Sequence, residues 1–98
     1  MPDLAEQLET SLAKGRSVAR ATILDGPGAG RQMLIWPAGE IFGALGSPRL
    51  NQRIALFAEA QFSKNWQGTM QKRFDHEGRR LKVEFTVFRP AARNNLDQ

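Results

Sequence analysis

Residues 25–50, DGPGAGRQMLIWPAGEIFGALGSPRL, hold six of the chain's nine glycines and three of its five prolines, with short apolar runs between them. No other feature limits the fold as strongly. Glycine costs a helix interior conformational entropy and proline removes an amide and clashes with the preceding turn, so a helix of ordinary length does not survive here. Short strands joined by tight turns do. The stretch RQMLIW reads as one strand closed by Pro37-Ala38-Gly39, and EIFGAL as the next, closed by Gly46-Ser47-Pro48. Upstream, SVARATIL (17–24) is rich in small and β-branched residues and ends at Asp25-Gly26-Pro27-Gly28, so it reads as the first strand. The unbroken apolar character of these pieces predicts strands covered on both faces, or a sheet with one closely packed side.

On either side of this region the period changes. Asp3 followed by Glu6 is a helix start, the carboxylate taking free amides and Glu6 reaching back. Leu4, Leu8 and Leu12 recur at helical spacing up to Gly15, which predicts a helix over about 3–14 with a narrow apolar face. Ser47 before Pro48 is an N-cap followed by a favourable first helical residue. Leu50, Ile54, Phe57 and Ala58 then share a face, giving a second helix over 48–63. Asn65, Trp66 and Gly68 mark the exit into TMQKRF and RRLKVEFTVF, two strands separated by the polar turn Asp75-His76-Glu77-Gly78. In the last strand Leu81, Val83, Phe85 and Val87 alternate with Lys82, Glu84 and Thr86, so one side is core and the other wet. Pro90 ends it, and 92–98 reads as a frayed tail. The expected fold is α+β: a single domain, 1–98, with one mixed or antiparallel five-stranded sheet and two packed helices.

A chain of 98 residues supports one core, since it buries only roughly 60–70% of its unfolded surface. Its apolar runs are too short to span a bilayer and its N-terminus has no basic segment followed by an apolar one, so a soluble, cytoplasmic protein is expected. With no cysteine and a single histidine, disulfides, thiolate metal sites, thiol nucleophiles and multi-histidine metal sites are excluded within one chain. No metal site is expected. The net charge is +4, with Lys72, Arg73, Arg79 and Arg80 flanking one turn. A charged hairpin end exposed to water accounts for these, so nucleic-acid binding is the weakest of the functional readings.

The glycine-rich stretch is not a nucleotide loop. It lacks the Gly-x-x-x-x-Gly-Lys-Ser/Thr string, and Gly26-Pro27-Gly28-Ala29-Gly30 has the wrong spacing for a dinucleotide fingerprint and precedes a strand. A less demanding candidate is Gly43-Ala44-Leu45-Gly46-Ser47-Pro48-Arg49, which ends at a helix start. Amides there favour an anion, and Arg49 would add charge. The competing reading is that Gly43 and Gly46 serve only a tight strand-to-helix turn. No catalytic set is evident: His76 is expected in an exposed turn between Asp75 and Glu77, and Ser11, Ser17, Ser47 and Ser63 are distant from it in sequence. Trp36, in an apolar strand, is expected in the core, and Trp66 reads equally as core or surface.

The stretch AKGRSVARATILD, continued by GAGRQMLIWPAGEIFGALG and the helix after it, resembles the N-terminal domain of the XdhC/CoxI family over residues 13–60. VEFTVFRP is similar to the family's exit strand. Proteins of this family assist the maturation of molybdenum hydroxylases such as xanthine dehydrogenase and carbon monoxide dehydrogenase. The family continues with Ser-Gly-Gly-Cys-Leu-Glu where this chain has Gly46-Ser47-Pro48-Arg49-Leu50-Asn51; a later Cys-Gly-Gly and a Rossmann domain also lack counterparts in these 98 residues. The resemblance implies a non-catalytic accessory protein that binds the molybdenum cofactor, a pterin phosphate, or a hydroxylase subunit. The ligand site would comprise Arg31, Gly43, Gly46, Ser47 and Arg49. The alternative is an interaction or homo-oligomerisation module that keeps the scaffold without the ligand.

Overall fold

The computed structural model describes residues 3–64 and 66–90; the tail expected over 92–98 lies outside them, as does Asn65. The elements run α1 (Leu4–Ala13), β1 (Val18–Asp25), β2 (Gln32–Ile35), β3 (Ile41–Gly43), α2 (Pro48–Phe62), β4 (Thr69–His76) and β5 (Arg79–Phe88). The five strands form one sheet in the order β3-β2-β1-β5-β4, every neighbouring pair antiparallel. Of the expected mixed or antiparallel sheet, the antiparallel form is found. The element order allows it, because the β1–β2 and β4–β5 turns are short and no helix returns the chain in parallel.

Asp3 caps α1 by accepting the Glu6 N–H at 2.8 Å. At the other end Gly15 takes φ +76, its N–H reaching the Leu12 carbonyl and that of Arg16 the Ser11 carbonyl. This paired closure needs a left-handed residue at the glycine position. The two helices lie on opposite faces of the sheet. Under α2, Ala19, Ala21, Ile23, Met33 and Ile35 join Phe74, Leu81, Val83, Phe85 and Val87 around Leu50, Ile54 and Ala58. On the far face Leu4, Leu8 and Leu12 of α1 pack on Val18, Leu34 and Trp36, with Phe42 and Phe88 at the margin. The run 33–36 is thus covered on both sides, Met33 and Ile35 towards α2 and Leu34 and Trp36 towards α1, which explains its unbroken apolar sequence.

Both tryptophans are core. Trp36 is buried beneath α1, its indole N–H donating at 3.0 Å to the buried Ser11 hydroxyl. Trp66 is buried beside the C-terminal end of α2, edge-on to Phe62 and Phe85 at 5.6 and 6.3 Å between ring centres. At the outer end of β1 the register slips between Ile23 and Asp25, leaving Leu24 as the extra, exposed residue of a bulge. The slip lets the β1–β2 turn fold over the sheet end: the Gly30 N–H reaches the Ile23 carbonyl at 2.8 Å, and the Ile23 N–H reaches that of Arg31 at 3.1 Å.

A basic cleft at the start of helix α2

Antiparallel connectivity gathers three structures at one end of the sheet: the β1–β2 turn, the β4–β5 turn and the loop from β3 into α2. They enclose a cleft of about 430 Å³ lined by Arg31, Gly46, Ser47, His76, Glu77 and Arg79 at its polar wall. Leu45, Leu50 and Leu81 also line it, at 1%, 5% and 2% exposure.

Local interactions fix each wall. The Ser47 Oγ accepts the Leu50 N–H at 3.2 Å and the Ser47 carbonyl accepts that of Asn51, while the Asn51 side chain accepts the Leu45 N–H at 2.8 Å. Pro48 has no N–H, so the Arg49 amide is the first-turn donor that neither cap nor helix satisfies. Gly28, at φ +84, brings the β1–β2 turn against this loop; a Cβ there would sit 3.3 Å from the Leu45 carbonyl oxygen. On the other side β4 and β5 are joined by only Glu77 and Gly78, at φ +51 and +75, between the paired His76 and Arg79. Two consecutive positive φ values in a two-residue loop match a type I′ turn, whose twist suits an antiparallel pair.

His76 is therefore not in an exposed turn, as the sequence led us to expect, but the last residue of β4. It follows Met70, Lys72 and Phe74 on the face beneath α2, and its side chain is 15% exposed. Its Nε2 lies 3.5 Å from Ser47 Oγ and 3.9 Å from Glu77 Oε2. A serine and the only histidine thus meet across 29 residues of chain. They do not make a hydrolytic triad: the carboxylate lies beside the same ring nitrogen as the serine, so it cannot hold the opposite nitrogen, and the serine oxygen is the helix cap.

Of the residues singled out from sequence, Arg31, Gly46 and Ser47 line the cleft. Arg49 lines a separate depression on the other side of His76 and Glu77, with Gln52, Arg53 and Leu56. Gly43 ends β3 opposite Met33; with φ +91, its absent Cβ leaves room for the Gln32 carbonyl oxygen at 3.0 Å, so it serves the strand end. Sequence reading missed His76 and Arg79 as cleft residues. The period-2 pattern running back from His76 to Met70 was the available signal, but it required knowing that the turn is two residues long. Neither Arg31 nor Arg79 has a carboxylate within 4.0 Å among the described residues, whereas Arg80 reaches Asp75 at 3.5 Å.

A five-stranded antiparallel sheet with a helix on each face, and a cleft at one end lined by Arg31 and Arg79, defines a small α+β domain. The family model for the XdhC and CoxI family matches residues 11–74. The chain belongs to that family. The match runs from the end of α1 into β4, stopping at Phe74, and includes Arg31, Gly46, Ser47 and the capping region of α2. No curated protein matches the sequence.

Proposed function

We propose that this chain is a non-catalytic accessory protein in the maturation of a molybdenum hydroxylase, and that it carries a phosphate-bearing pterin, the molybdenum cofactor, as cargo in the cleft at the start of α2. Family membership supports the maturation role. The observation that carries the cleft is its pair of arginines, Arg31 and Arg79, which come from two different hairpins and have no acidic partner within salt-bridge distance among the described residues. Guanidinium groups bind phosphate oxygens through paired N–H donors, and the start of α2 adds a favourable dipole. A volume of about 430 Å³ falls in the range of small-molecule sites. The sequence has no thiol to pass sulfur to a cofactor, so the role is to hold and deliver rather than to modify. The receiving partner would be a hydroxylase of the xanthine or carbon monoxide dehydrogenase type. The test is to incubate the purified protein with molybdenum cofactor, separate it by gel filtration, and follow the protein peak by absorbance and mass spectrometry. Retention that falls with Arg31→Ala supports the reading; no retention overturns it.

A specific observation also favours an interaction module. Leu56 and Ile41, 58% and 43% exposed, line a shallow depression between α2 and β3 with Pro48 and Ala55, edged by Asn51, Gln52 and Glu59. Light scattering that shows a stable dimer, with no cofactor retained, would select this reading.

A further inference from the structure

The cleft combines features that a simple anion does not need. A bare phosphate has no use for the apolar part of the lining, to which the exposed Pro27 contributes, and it is repelled by the Glu77 carboxylate at the same cleft as the arginines. An acidic residue, two cations and an apolar wall lining one cleft are matched by a ligand with three parts. These are an anionic group, a flat ring, and a ring edge that donates hydrogen bonds. A carboxylate has two acceptor oxygens and takes two parallel N–H bonds from one planar partner.

We propose that Glu77 determines which ring the cleft accepts, by pairing with the ring N–H and adjacent amino group of a 2-amino-4-oxo pyrimidine edge, as found in pterins and guanine. Arg31 and Arg79 hold the phosphate attached to that ring. The assignment rests on the preceding reading of the cleft as a site for a phosphorylated ring compound. Glu77 is placed at the cleft by the β4–β5 turn, of whose two residues it is the first, at φ +51. Its carboxylate stands 3.9 Å from His76 Nε2, and the side chain is 66% exposed and open to a ligand. His76 in turn is held by Ser47 at the start of α2.

Titration calorimetry on the full chain tests this with four probes: neopterin monophosphate, GMP, IMP (which keeps the ring N–H but lacks the 2-amino group) and inorganic phosphate. The wild type should bind the pterin and GMP roughly tenfold more tightly than IMP, the order of one bidentate base contact. Glu77→Gln should abolish the preference for GMP over IMP and, by removing a negative charge, tighten inorganic phosphate. A purely structural role for Glu77 would move all ligands in the same direction. Glu77→Asn, which keeps a residue suited to positive φ, should give the same loss of preference and guards against a folding artefact. Tighter binding of the pterin or of GMP identifies the natural ring, and either supports the assignment. Equal binding of GMP and IMP by the wild type, or an unchanged ratio in both variants, overturns it while leaving the phosphate site intact. If no phosphorylated probe binds, or binding ignores Arg31→Ala, the cleft reading and this assignment fall together.

Discussion

Ser47 Oγ lies 3.5 Å from His76 Nε2 while accepting the Leu50 N–H at 3.2 Å, so one hydroxyl both caps α2 and ties it to the end of β4. Ser47→Ala should destabilise the domain by about 1 kcal/mol through loss of the cap. Ser47→Asn should recover most of that, because asparagine caps equally well. Urea denaturation of the three proteins gives the comparison; an alanine variant as stable as the wild type would show that the cap contributes nothing.

A second polar contact is buried between α1 and the sheet. Trp36→Phe removes the only donor the Ser11 hydroxyl receives among the described residues and should cost about 1–3 kcal/mol, the penalty for a buried polar group left unpaired. Adding Ser11→Ala should cost less in that background than in the wild type. Additive effects in a double-mutant cycle would mean that the pair is not coupled.

Glycines of similar backbone conformation should differ sharply in tolerance. A Cβ at Gly26 would stand 2.7 Å from the Arg80 carbonyl oxygen, whereas at Gly30 nothing lies within 4 Å. Both have positive φ, +102 and +96. Gly30→Ala should therefore show only the conformational penalty of about 1–2 kcal/mol, and Gly26→Ala distinctly more, because the β1–β2 turn must move away from β5. Thermal melts in which the two alanine variants coincide would contradict the close approach.

Arg31 and Arg49 are both exposed, so replacing either with alanine should change stability by no more than about 0.5 kcal/mol. Their effects on ligand should separate. Arg31 lines the cleft and its loss should weaken binding of inorganic phosphate about tenfold; Arg49 lines the neighbouring depression, and its loss should act only through the general field and fade as salt is raised. Equal effects at both positions, independent of salt, would place the anion elsewhere.

Much of this architecture is legible along the chain. Asp3, Gly15, Ser47 and Pro48 act through their immediate neighbours, and the helix limits they announce agree with α1 and α2 to within a residue or two. The β5 alternation of Leu81, Val83, Phe85 and Val87 likewise gives the buried face directly. The third strand is shorter than EIFGAL implied, ending at Gly43, because Leu45 leaves the sheet to be held by Asn51. The β4–β5 turn is longer in the sequence pattern than in the structure for a related reason. Glutamate is an unusual residue at positive φ, so Asp-His-Glu-Gly looks like a polar four-residue loop until pairing with β5 shows that only its last two residues turn.

The stretch 25–50 therefore determined by itself that strands and turns, rather than a helix or a nucleotide loop, occupy the centre of the chain, because glycine and proline act on backbone conformation locally. It also determined where α2 begins. Which side chains share the cleft was decided only in three dimensions. Arg31, Ser47, Glu77 and Arg79 meet because antiparallel pairing returns two hairpin turns and one helix start to the same end of the sheet. The direction in which His76 faces depended on a single-residue question of register, and shifting a strand by one residue exchanges its two faces. Local chemistry specifies elements; the register and order in which they pair specify the site.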